Sequence, residues 1–150
     1  MDVENIITLF ENENIYAFSE NEIPDFQFGN RDYPGPLICI QKTELTDANL
    51  AFLEKIIKAI GFELTTQCEL VVLDILKKYS FRDLLKTPSS GQTILFGNFK
   101  DQLDLNLHIS LNEWITTGNF LCMFSFSLEE LQKDTLKKQG LWQSLKMKYQ

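Results

Sequence analysis

The sequence predicts an α/β domain, three layers with a mostly parallel central sheet between helices. Three observations lead there. Short, largely apolar runs recur at residues 37–40, 70–73 and 93–96, and runs of that length suit strands buried on both faces. Segments with apolar residues at helical spacing separate them. The resulting β-α-β-α-β order, joined by crossovers of one hand, gives a parallel sheet with helices on its faces. The chain of 150 residues is long enough to bury roughly 68–70% of its unfolded surface in one core.

The elements follow in order. Residues 1–35 read as an acidic N-terminal arm, and residues 36–150 as a single α/β domain. The arm carries two apolar groups, Ile6, Ile7, Leu9 and Phe10, then Ile15, Tyr16 and Phe18. It either packs on the body or serves as a partner-binding arm. "NRDYPGP" is a turn or linker, because two prolines flank a glycine. "PLICIQ" is the first buried strand. "LTDANLAFLEKIIKAIG" is a helix, with Thr46 or Asp47 as N-cap, Leu50, Leu53, Ile56, Ile57 and Ile60 on one stripe, and Gly61 as the C′ residue. "CELVVLDI" is the second strand. Ser80 with Asp83 three residues on is a capping-box pattern for a helix that Pro88 stops early. "GQTILFGNF" holds the third strand, Thr93 to Phe96, closed by Gly97.

Leu105, Leu107, Ile109 and Leu111 alternate with polar residues, which predicts an exposed edge strand within 104–116 of a mixed sheet. Thr117-Gly118-Asn119 is a turn signal, and Phe120 to Phe126 a further strand. The two either form a hairpin or lie apart, one of them as the edge. Ser127 caps a short turn through Glu130. The last helix runs from Asp134 toward Met147. Its Leu136, Leu141, Trp142, Leu145 and Tyr149 fall on or near one stripe. Gly140 costs such a helix about 1 kcal/mol relative to alanine. The glycine therefore implies another backbone close by, with Leu141 and Trp142 docking the helix.

The charge is unevenly placed. Residues 1–32 hold eight acids and one base, Arg31, and so carry the entire net charge of -7. Phosphate backbones repel such a segment, so direct specific nucleic-acid binding is not expected. The better partner is a basic protein surface. No apolar run approaches the roughly 18 residues of a membrane span. The acidic N-terminus lacks the basic start of a secretory signal. A soluble, cytoplasmic protein with no membrane association is expected. Cys39, Cys68 and Cys122 sit in apolar runs without metal-site spacing and read as buried reduced thiols.

No catalytic constellation is evident. His108 is the only histidine, on the polar phase of the alternating stretch, with no nucleophile elbow nearby. No zinc, calcium or phosphate-loop motif occurs, so no metal, cofactor or catalytic residue is assigned. Asp101 and Asp104 suit a solvated turn. "TPSSGQT" is a helix-to-strand connection. "FGNF" is either a tight turn or part of the carboxyl edge where α/β sheets bind ligands. The five lysines of residues 133–150 suit a solvated helix face that complements the helix dipole.

Four pieces carry a family likeness: "ENENIYAF", "LICIQKTELTDANLAFLEKIIKAIGF", "QTILFGN" and "SLEELQKDTLKKQGLWQSLK". In this order the chain resembles the psi subunit family of the bacterial DNA polymerase III holoenzyme, a clamp-loader accessory protein. The resemblance implies a fold similar to uracil-DNA glycosylase. Those glycosylases use a water-activating acid or amide after the first strand and a histidine-bearing loop near the end. Here "QKTELTD" lacks the former motif and "FSFSLEEL" has no histidine, which implies a binding-only domain rather than an enzyme. The resemblance further implies an arm that binds clamp-loader subunits, with Ile15, Tyr16 and Phe18 as partner-binding anchors, and a body that contacts a chi-like accessory subunit. The arm is more acidic than the family pattern. Two alternatives remain: a glycosylase-like or other small-molecule enzyme with a polar pocket near Gln41, Asn98 or His108, and an intracellular interaction domain unrelated to replication.

Overall fold

The structure, a computed structural model, describes residues 25–28, 33–105 and 108–149. Among these residues six strands form one sheet: β1 (Asp25–Phe28), β2 (Leu37–Gln41), β3 (Glu69–Leu73), β4 (Gln92–Phe96), β5 (Glu113–Thr117) and β6 (Phe120–Ser125). Their order is β1-β3-β2-β4-β6-β5. The four central strands run parallel, and both outer strands pair antiparallel. The helices are α1 (Asp47–Ala59), α2 (Leu64–Gln67), α3 (Phe81–Lys86), α4 (Leu128–Lys133) and α5 (Thr135–Tyr149). The protein is therefore mixed α/β with a mostly parallel sheet, as the alternation of apolar runs and helical segments predicts.

Strand side chains alternate between two cores. Ile38, Ile40, Leu70, Val72, Ile94, Phe96 and Met123 face one side, where α1, α2, α4 and α5 cover them. Leu37, Cys39, Val71, Leu73, Leu95, Cys122 and Phe124 face the other, under α3, Phe99 and Leu103. The chain moves outward from β2 to β3 across the first face. It moves the opposite way, from β3 to β4, across the second. A single hand of crossover requires that exchange of faces.

Helix boundaries follow local chemistry. Thr46 accepts the Asn49 N–H at 3.2 Å as N-cap of α1. At its other end the Gly61 N–H donates to the Lys58 carbonyl and the Phe62 N–H to the Ile57 carbonyl, at 3.0 and 3.1 Å. That pair is a Schellman closure, and it needs the left-handed φ of 95° that Gly61 adopts. Ser80 caps α3 through the Asp83 N–H, and Ser127 caps α4 through the Glu130 N–H, each at 3.2 Å. Asp134 receives the N–H groups of Leu136 and Lys137 and so starts α5.

Three expectations need correction. The alternating stretch is no strand in its described part: residues 105 and 108–111 carry no β pairing, and the edge strand starts only at Glu113, after the Asn112 N–H donates to the Phe124 carbonyl at 2.7 Å. Leu105 and Ile109 instead pack against the second core from an irregular segment. Two parallel strands need a crossover between them, and this segment covers part of that path from β4 to β6. The edge strand then returns as a hairpin, Thr117 opposite Phe120. Second, among the described residues it is a side chain and not a backbone that approaches Gly140. A Cβ there would meet the Asn112 side-chain amide at 3.2 Å. Third, Leu136 is exposed, whereas Trp142, half-buried, packs against the first core as expected. Leu141 and Leu145 seat the helix. The indole that ties it down belongs to Trp114 of β5, which donates to the Ser144 carbonyl at 2.9 Å.

β1 arises inside the 1–35 stretch and pairs with β3, Asp25 opposite Val72 and Phe28 opposite Leu70. Residues 1–24 and 29–32 lie outside the described residues.

Candidate functional site

In an open α/β sheet, ligands bind beyond the carboxyl ends of the strands, where successive connections leave in opposite directions. Here that point lies between β2 and β4. Gln41 ends β2, and Gly97 with Asn98 follows β4. The sequence names Gln41, Asn98 and His108 as the side chains an enzyme would converge there. The structure brings two of them together. The Gln41 amide nitrogen donates to the Asn98 carbonyl at 3.0 Å. It also donates to the Gln102 side-chain oxygen at 2.7 Å, and Gln102 returns a bond to the Gln41 oxygen at 2.9 Å. Both amide N–H groups of Gln41 and its oxygen are thereby used. Gln102 is buried, and its carbonyl accepts the Tyr79 N–H at 2.7 Å. His108 is exposed and lies in an irregular segment.

Gly97 takes a φ of 126°, a backbone geometry that favours glycine, and its N–H donates to the Ser125 carbonyl at 3.1 Å. The Asn98 side chain accepts the Lys100 N–H at 3.2 Å. "FGNF" is thus a turn and also part of the carboxyl edge. Beside it opens a shallow cleft of about 250 Å³ between Gly97–Lys100, Ile109, Leu111 and the start of α4. Most of its polar side chains already have neighbours. Ser125 donates to the Asn112 side chain at 2.6 Å. Ser127 donates to the Glu130 carboxylate at 3.2 Å, and Lys137 does so at 3.0 Å. The Lys137 hydrogen bond, ahead of the weaker Ser127 bond, holds the Glu130 carboxyl below the ordinary carboxylate range.

Glu44 is the acid that sequence reasoning passed over. It lies in the 3₁₀ turn after β2, and its side chain is buried. One carboxylate oxygen accepts the Leu128 N–H at 3.0 Å, the other the Glu129 N–H at 2.9 Å. The first N–H groups of a helix have no partner within it, and an anion there also meets the positive end of the dipole. Glu44 thus clamps the loop after the first parallel strand to the loop after the last. The Gln132 side chain adds a 2.7 Å bond to Asn49, and Asn49 a 2.9 Å bond to the Glu44 carbonyl. No local motif marks Glu44 as a cap, because its helix is 84 residues away in sequence.

The other candidates fall out simply. Cys39, Cys68 and Cys122 are free and buried. Burial pushes the Cys68 thiol up to about 12 and the Cys122 thiol up to about 11, and raises Cys39 well above its ordinary value. Such thiols are poor nucleophiles and poor metal ligands at neutral pH. Among the described residues no group of three or more His, Cys, Asp or Glu side chains could hold a metal ion. No helix among them is long and apolar enough to cross a membrane. Four of the terminal lysines have partners. Lys133 pairs with Glu129 and Lys137 with Glu130. Lys137, Lys138 and Lys146 also lie over the rings of Phe126, Phe52 and Trp142. The anchors Ile15, Tyr16 and Phe18 lie outside the described residues. No protein-family model matches this chain, and no curated protein matches it.

Proposed function

We propose that this chain is a non-catalytic adaptor of the bacterial replication machinery, a clamp-loader accessory subunit of the psi type with a body similar to the glycosylase fold. The observation that carries the reading is the use made of the carboxyl edge. A glycosylase would hold a water-activating acid or amide after the first strand. Glu44 and Gln41 occupy that loop, but the acid is engaged with two helix N–H groups, and the amide with Gln102 and Asn98. A general base must lie within hydrogen-bond reach of its substrate, and Glu44 is buried against the start of α4. The mostly parallel sheet with helices on both faces is consistent with the same family.

In this reading the acidic leading segment grips a basic-rimmed groove on clamp-loader subunits, with Ile15, Tyr16 and Phe18 as anchors. A few apolar anchors inside a ring of charge concentrate binding energy and exclude water. A chi-like subunit would use the body. The protein would work in the cytoplasm without a cofactor. The cleft beside Asn98 favours a small-molecule enzyme instead. At about 250 Å³ it falls just below the roughly 300–1,000 Å³ of typical ligand pockets.

Affinity capture from the native cell tests the proposal. Clamp-loader subunits should be recovered with the wild-type chain, and Tyr16→Ala with Phe18→Ala should lose them. Capture of no replication protein by the folded wild type would end the adaptor reading.

A further inference from the structure

The turn from Asp74 to Lys78 carries an exposed apolar pair. Ile75 is 67% and Leu76 is 89% exposed. The turn is nonetheless well built. The Asp74 carboxylate accepts the Leu76 N–H at 2.9 Å, and the Asp74 carbonyl accepts the Lys77 N–H at 3.1 Å. The Asp74 N–H in turn donates to the Tyr79 hydroxyl at 2.9 Å. Lys77 and Lys78 are both exposed, and Lys78 donates to the Asp101 carbonyl at 2.6 Å. Lys42 reaches Asp74 at 4.0 Å. Two apolar side chains are therefore held out in solvent by a fixed turn with a basic rim.

The register of β1 says what enters beside it. Asp25 is the partner of Val72, so the chain before Asp25 joins the sheet at the end where β3 leaves for this turn. That chain, residues 1–24, holds six acids and no base, with the apolar group Ile15, Tyr16 and Phe18 among them. Its charge is opposite to that of the rim. The size of the patch also selects a tethered occupant. A stable interface between separate proteins engages about 20–30 residues a side, far more than one turn. A tethered segment meets its site at an effective concentration on the order of millimolar, so a weak contact suffices.

We propose that the Asp74–Lys78 turn is the docking surface for the chain's own acidic leading segment. Ile75 and Leu76 meet its apolar residues, and Lys77 and Lys78 meet its carboxylates. The inference goes beyond the adaptor reading and does not require it. Where both hold, self-docking and partner capture compete for the same apolar residues, and a partner must displace the segment from the turn.

Zero-length carbodiimide cross-linking of the purified full chain, mapped by mass spectrometry, tests this. Cross-links from acids of residues 1–24 should form at Lys77 or Lys78 within one molecule. Their yield should fall several-fold in Ile75→Ser plus Leu76→Ser, which keeps both lysines, and in about 0.5 M salt, where the screening length is only a few ångströms. Unchanged circular dichroism and melting confirm that the variant is folded. Three results would each overturn the proposal: cross-links spread evenly over the lysines of α5, cross-links between isotopically mixed molecules, or a yield indifferent to the double substitution. Because no partner is present, this outcome is independent of the capture experiment.

Discussion

The two faces of the sheet are covered by different means. The first face receives four helices, whose interiors pair their own backbone groups and which bring buried leucines and isoleucines to the sheet. Among the described residues the second receives the six residues of α3 and an irregular stretch around Phe99, Leu103, Leu105 and Ile109. Irregular backbone satisfies itself only in part. On the second face a side-chain amide from outside the segment supplies one missing bond: Gln41 donates to the Asn98 carbonyl, and Gln102 of the segment holds Gln41. The lesson is that polar side chains go where backbone is left unpaired, along the loop on the second face and at the helix ends on the first, as with Glu44 at α4.

The largest effect should come from the cores themselves. Phe96 and Phe99 are both fully buried, one in each core. Phe96→Ala should cost about 3–5 kcal/mol in urea unfolding. Phe99→Ala should cost less, because an irregular segment can settle into the space and a helix-backed strand cannot. Equal losses would break the comparison.

Next in size is the clamp between the two carboxyl-edge loops. Glu44→Ala removes a buried anion from two N–H groups, and hydrogen bonds to charged groups contribute roughly 1.5–3 kcal/mol each. The expected loss is about 2–3 kcal/mol, seen in chemical denaturation, with hydrogen exchange accelerated first in α4. A loss under about 0.5 kcal/mol would mean that solvent replaces the carboxylate without cost.

The thiols report on both faces. In the unfolded chain they ionise near pH 9.0, and in the folded protein only near 11 for Cys122 and 12 for Cys68. Between those values the unfolded state binds fewer protons, so stability must fall as pH rises above about 9 and be full below it. Denaturation midpoints at pH 8 and pH 10 check the sign. Thiol labelling at pH 8 should be slow throughout. Cys39 and Cys122, under the irregular cover, should react before Cys68, which lies under the helices. The reverse order would place the weaker cover on the helical face.

The smallest effect belongs to Gly140. Alanine gains about 1 kcal/mol of helix propensity. It also pushes on the Asn112 amide at 3.2 Å, and Asn112 is held by Ser125. The two offset, so Gly140→Ala should shift stability by less than about 1 kcal/mol, read from thermal melts.

Much of the fold was legible in sequence because it is local. The strand cores at 37–40, 70–73 and 93–96, the caps Thr46, Ser80 and Ser127, and the closing Gly61 all act through residues within a few positions of one another. The misreadings have a common cause. The alternation through Leu105, Ile109 and Leu111 has the period of a strand, yet the described residues 105 and 108–111 join no strand. Gly140 looked like a backbone contact, because sequence cannot say that Asn112, carried on the far side of a hairpin, is what arrives.

By itself the sequence determined the four central strands and most of the helices, where those helices begin, and that the excess of negative charge lies at one end. Those follow from side-chain periodicity and from short-range hydrogen bonds. The tertiary structure alone decided that Glu44 caps α4, that Gln41 and Gln102 close the edge between β2 and β4, and that β1 pairs antiparallel with β3. Each joins residues tens of positions apart. Such partners are chosen by how strands pair and helices pack, and no local pattern records that choice.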